Sequence, residues 1–175
     1  MEKRFIFIAV GLGVFFLPAA SASFYTKIEY STTQLETNRW QYTYDVTNIS
    51  LTEPIKEFTI WFNYGKYDNL AIETQNPPAG NWDEIVWQPD PVIDSNGGYD
   101  GLVEVTASAI GIGQTVSNFA VSFDWLGEGT PGSQFYEIIN PTTFETIDSG
   151  WTVPEPATAL VLSFGLLLLR RSLRQ

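Results

Sequence analysis

Neither cysteine nor histidine occurs anywhere in the 175 residues. Without cysteine there is no disulfide and no thiolate nucleophile, and a chain of this size does not need disulfides to hold a core. Without histidine the commonest general base at neutral pH and the commonest catalytic-metal ligand are both missing. Nucleophilic mechanisms built on Cys or His are therefore excluded for this chain acting alone. Positive charge is scarce too: nine Lys and Arg stand against 20 Asp and Glu, a formal net charge of −11. Such a surface repels nucleic acid and anionic lipid, and it could attract divalent cations. No helical periodicity shows between residues 23 and 153, and the long apolar runs are confined to the two ends.

The N-terminal end reads as a secretory signal peptide. Met1-Glu-Lys-Arg4 is a basic start, Phe5 to Leu17 is apolar, and Ala20-Ser21-Ala22 is a small-residue cleavage site following Pro18. Export through the Sec machinery and cleavage by signal peptidase then leave Ser23 as the first residue, with residues 1–22 outside the fold. The C-terminal end has three parts in order. Val153-Pro154-Glu155-Pro156 is rigid and polar, Ala157 to Leu169 carries no charge, and Arg170, Arg171 and Arg174 form a basic end. Thirteen helical residues rise about 20 Å, short of the roughly 30 Å of a bilayer core. The prolines bar helix, so a short transmembrane helix is expected from Ala157, with the arginines cytoplasmic and Glu155 at the outer interface. A short span with a stiff exposed flank suits a cleavable anchor. Trp151 is expected at the membrane interface in the precursor.

This order of Pro-Glu-Pro, apolar run and Arg-Arg resembles the PEP-CTERM sorting signal of Gram-negative bacteria. The resemblance implies processing by exosortase, a membrane-embedded cysteine transpeptidase. It implies transient attachment to the inner membrane, then release to the cell surface or an exopolysaccharide matrix. The sorting residues are then Val153, Pro154, Glu155, Pro156, Arg170 and Arg171.

Between the signals, residues 23–152 form one domain with 18 carboxylates against Lys27, Arg39, Lys56 and Lys66. Three segments alternate cleanly. Trp40, Tyr42, Tyr44 and Val46 share a face opposite Gln41, Thr43, Asp45 and Thr47. Phe58, Ile60 and Phe62 oppose Glu57, Thr59 and Trp61. Phe119, Val121, Phe123 and Trp125 oppose Asn118, Ala120, Ser122 and Asp124. Period two with aromatic and β-branched residues marks half-buried antiparallel strands. Weaker strands are expected over Phe24–Tyr30, Leu70–Ile72, Ile85–Trp87, Leu102–Ala109, Phe135–Ile139 and Thr143–Ile147, separated by Gly-, Pro- and Asn-rich turns. The fold expected is all-β, an antiparallel two-sheet sandwich, immunoglobulin-like in shape. The stretches Tyr42–Asn48, Pro54–Ile60, Val121–Gly127 and Gly129–Phe135 resemble exported β-sandwich domains common among PEP-CTERM proteins, a likeness that implies no functional residue.

Two candidate sites lie within the domain. Asp94, Asn96 and Asp100, with Asp90 nearby, follow positions 1, 3 and 7 of a calcium loop. However, Tyr99 stands where that loop needs glycine and Val105 where it needs a closing carboxylate. The same residues make an Asx-rich turn unaided, so no cofactor is expected. Trp61, Trp82 and Trp87, with Asp83 and Glu84 beside them, are the candidate glycan-binding set; the competing reading makes the rings core filler. Asp83 and Glu84 point to opposite faces of one strand, so they cannot flank one glycosidic bond. The expectation is a non-enzymatic exported protein, with a glycan- or calcium-binding module as the alternative.

Overall fold

A computed structural model of the chain describes residues 25–75, 82–90 and 101–156, and over 101–107 the backbone alone. The expected cleavage-site residues Ala20, Ala22 and Ser23, the candidate loop residues Asp94, Asn96 and Asp100, the expected helix from Ala157, and Arg170 and Arg171 lie outside the described residues. Among the described residues there is no helix. The strands are β1 (Thr26–Gln34), β2 (Arg39–Asn48), β3 (Ile55–Phe62), β4 (Tyr67–Ile72), β5 (Asp83–Trp87), β6 (Gly101–Ile110), β7 (Thr115–Trp125), β8 (Phe135–Ile139), β9 (Thr146–Trp151) and β10 (Val153–Pro154).

They form two five-stranded sheets, β10-β1-β2-β7-β4 and β5-β6-β3-β8-β9. All pairings between named strands are antiparallel except β1 with β10. The alternating faces decide how the sheets meet. Tyr42, Tyr44 and Val46 from β2, Phe58, Ile60 and Phe62 from β3, and Phe119, Val121 and Phe123 from β7 are all buried in one core. Rings interdigitate between the sheets, where Phe58 meets Phe119 edge-on at 5.1 Å and Phe62 lies 6.2 Å from Phe123, and Tyr42 stacks on Phe123 at 4.8 Å within the first sheet. Such pairs add to the area each ring removes from water.

Core tyrosines bring hydroxyls that must be satisfied, and Gln134 supplies the partners. Its side chain accepts from the Tyr44 hydroxyl at 3.1 Å and donates to the Tyr67 hydroxyl at 3.1 Å and to the Gly132 carbonyl. Tyr42 donates to the same carbonyl at 2.7 Å. Burial pushes the Tyr42 and Tyr44 hydroxyls well up and raises that of Tyr67 against its hydrogen bonds with Tyr42 and Gln134, so all three remain protonated. At the far end, buried Asn48 closes the turn after β2. Its amide donates to the Ile110 and Glu53 carbonyls while its oxygen accepts from the Leu51 N–H.

One strand is displaced from its expected place. The strand expected over Thr143–Ile147 starts three residues late: β9 begins at Thr146 and runs to Trp151. The Asn140 side-chain oxygen accepts from the Thr142 and Thr143 N–H groups, and its carbonyl accepts from the Phe144 N–H. Phe144 sits at φ 58°. This Asx turn consumes the backbone groups a strand would need and delays the ladder to Thr146.

Candidate functional site

The segment Val153–Pro156 continues directly from the domain. After β9 the chain crosses from one sheet to the other at Thr152, which is fully buried and bonded both ways to Gln134. Val153 and Pro154 then lie beside Glu29 and Tyr30 as β10. The Glu155 N–H donates to the Tyr30 carbonyl at 2.9 Å, and the Glu155 and Pro156 side chains are exposed. Partial burial, then the nearby Asp45 and Glu29 carboxylates, push the Glu155 carboxyl up. Lys27, paired with Glu29 at 2.9 Å, is the cation beside this acidic group. Pro154 fits an edge strand because its missing N–H deprives no neighbour of a donor.

The three candidate tryptophans separate. Trp82 packs on the core, 5.5 Å from the Phe119 ring and 6.2 Å from Phe58. Trp87 is exposed at the end of edge strand β5. Trp61 is half-buried on the outer face of β3, where its indole N–H donates to Glu137 at 3.0 Å. Of the neighbouring carboxylates, Asp83 faces outward while Glu84 turns toward the interior and accepts from Thr74 at 2.8 Å. Burial raises the Glu84 carboxyl, with the Thr74 hydrogen bond opposing. Asp90 is half-buried beyond β5, and among the described residues no group of three or more acidic side chains is placed to hold a metal ion.

The ladder registers reveal a different grouping. Trp87 lies opposite Leu102, Leu102 opposite Trp61, Trp61 opposite Phe135, and Phe135 opposite Trp151. One apolar register position on each of five adjacent strands therefore forms a single row across the second sheet. The alternate residues of β3, β8 and β9, namely Ile60, Tyr136 and Gly150, are buried inward, so Trp61, Phe135 and Trp151 lie on the outer face. Trp151 meets Phe135 edge-on at 5.8 Å. Gly150 must lack a side chain, because a Cβ there would stand 2.9 Å from the Tyr136 hydroxyl oxygen.

Beside the row opens a cleft of about 220 Å³ whose lining includes Trp61, Phe135, Trp151, Trp125, Asn63 and Lys66. Trp125 is pinned there. Its ring packs 4.9 Å from Tyr67, its N–H donates to the Gly129 carbonyl at 2.9 Å, and it folds over Gly127, where any Cβ would strike it. The outer face of the first sheet differs: Arg39 there donates to Ser122 at 2.6 Å and to Asp124 at 3.2 Å, and Gln41, Thr43 and Asn118 line a shallow polar hollow. The Asn69 hydrogen bond, then Arg39, holds the Asp124 carboxyl low.

Sequence reasoning missed Phe135 and Trp125 as cleft-lining groups, and Trp151 as a member of a ladder. The misplaced strand took Trp151 out of any ladder, and cross-strand alignment cannot be read without register. Comparison with family models, with curated proteins and with solved structures gave no match.

Proposed function

We propose that the chain is an exported, non-enzymatic protein carrying a PEP-CTERM sorting signal, processed by exosortase and delivered to the cell surface or an exopolysaccharide matrix. The order Val153-Pro154-Glu155-Pro156, Ala157 to Leu169, then Arg170-Arg171 carries this reading. In it, residues 1–22 direct export through the Sec machinery, and signal peptidase cuts before Ser23. A short helix from Ala157 holds the domain at the inner membrane until processing. The sandwich is read as immunoglobulin-like in shape. The exposed Glu155 and Pro156, projecting just beyond β10, support the reading because a recognition segment needs accessible, extended backbone. The absence of cysteine and histidine supports a role without chemistry of its own.

Replacing both Pro154 and Pro156 with Ala tests the proposal in a host that has exosortase. Helix would then be free to extend back toward Glu155, while the tail's hydrophobicity hardly changes. Full-length protein is expected to accumulate in the inner membrane, as the natural chain would in a host without exosortase. Processing and release like those of the natural chain would overturn the role given to the motif.

A further inference from the structure

The outer face of the second sheet is built for a ligand, and we propose that it binds an extended, uncharged, β-linked polysaccharide lying across the strands along Trp87, Trp61, Phe135 and Trp151. The proposal gives the exported domain a ligand. It leans on the sorting reading only for the compartment in which ligand and protein meet.

The row is an unusual use of a solvent face. Trp87 and Trp151 are 57% and 47% exposed, on a sheet whose opposite number presents arginine, glutamine, threonine and asparagine outward. Neighbouring strands are about 4.8 Å apart, so the three tryptophans, on β5, β3 and β9, recur about every 10 Å. That period matches alternate sugars of an extended β-linked chain, each presenting an apolar C–H face to a ring. A pyranose also has two hydroxyl edges, and both sides of the row are polar. Asn63, Ser133 and Lys66 lie on the cleft side, and Glu137 and Ser149, opposite each other in the ladder, lie on the other. The rings are held in place beforehand: Trp61 is tied to Glu137, Trp151 is braced by Phe135, and Trp125 is fixed over Gly127. Little ordering remains to be done on binding.

Charge selects the occupant. A net charge of −11, with Glu137 and Asp83 on this face, opposes a polyanionic glycan, an anionic bilayer or a second copy of the chain. A neutral polymer faces none of these penalties.

The test uses the full-length chain in a polyoxyethylene detergent, which has no sugar headgroup to compete. Native electrophoresis would be run through gels containing hydroxyethyl-cellulose, soluble xylan or alginate, with tryptophan fluorescence titrations against cello- and chito-oligosaccharides. Retardation by a neutral polymer, a fluorescence change with its oligosaccharides and no retardation by alginate are expected. The pair Trp61→Ala and Trp151→Ala should weaken binding roughly tenfold or more. Trp151→Phe, which keeps a ring, should retain most of it, and an unchanged melting temperature would separate ligand contact from misfolding. No binding to any of the neutral glycans would overturn the proposal. So would tryptophan-dependent adsorption to phosphatidylglycerol vesicles without glycan binding, or tryptophan-dependent dimerisation in sedimentation. None of these outcomes bears on tail processing, which the proline variant tests separately.

Discussion

At the scale of single residues, the interior is defined by how it treats polar groups. Tyrosine is used in the core because the Gln134 side chain and the Gly132 carbonyl accept from Tyr44 and Tyr42, and the Gln134 amide donates to Tyr67. Glu84 is a less settled case. It faces inward with one hydrogen bond from Thr74, and burial holds its carboxyl above the ordinary range. A carboxyl raised in the folded state binds its proton more tightly there than in the unfolded chain. The folded state is thus least penalised at acid pH, and stability is lost as pH rises through the unfolded value and on through the raised one. Glu84→Gln keeps an acceptor for Thr74 and cannot ionise. Its melting temperature should exceed that of the natural chain at pH 7, with the gain vanishing near about pH 4. An equal gain at both pH values would show that packing, and not charge, accounts for it.

At the scale of elements, the sequence was legible wherever one strand face was buried and the other wet. β2 and β7 show this plainly, because Tyr42, Tyr44 and Val46, and Phe119, Val121 and Phe123, alternate with polar residues. Glu57 and Thr59 did not obey the pattern; they occupy the outer face of β3 yet are buried, because central strands are shielded by their neighbours on both sides. The β8–β9 hairpin was misread because Asn140 replaces ladder bonds with side-chain bonds, which no periodicity reports. The two-residue β10 was read only as a motif, since Pro-Glu-Pro gives no strand signal. The aromatic row illustrates the same limit: its members are visible in the sequence, but their alignment belongs to the register. Gly150 joins these effects, as its bare Cα lets the Tyr136 ring pass beneath β9. Gly150→Ala should destabilise the chain by about 1–3 kcal/mol in urea titrations, since the new methyl meets a ring hemmed in by the core. An unchanged midpoint would mean that β9 can shift outward without cost.

At the scale of the whole molecule, a fold without disulfides must carry a large excess of like charge on its surface. Only two ion pairs occur among the described residues, Lys27–Glu29 and Arg39–Asp124, and such surface pairs contribute little. Self-repulsion is therefore the main long-range electrostatic effect. Raising ionic strength from about 0.01 M to about 0.15 M shortens the screening length from roughly 30 Å to roughly 8 Å. The melting temperature is expected to rise over that range in sodium chloride, and a fall would show that the pairs outweigh the repulsion.

The joint at Thr152 has a mechanical meaning. Because β10 runs parallel to β1, the chain leaves Pro156 heading toward the Gln34 pole, while Tyr25 sits at the opposite pole. There is no slack between the last buried residue and the motif. A tug on the tail along the strand axis loads the β1 ladder in shear and passes through Thr152 to Gln134 in the centre of the molecule. Force entering at Pro156 thus reaches the first sheet through β10 and the second through Thr152 and β9.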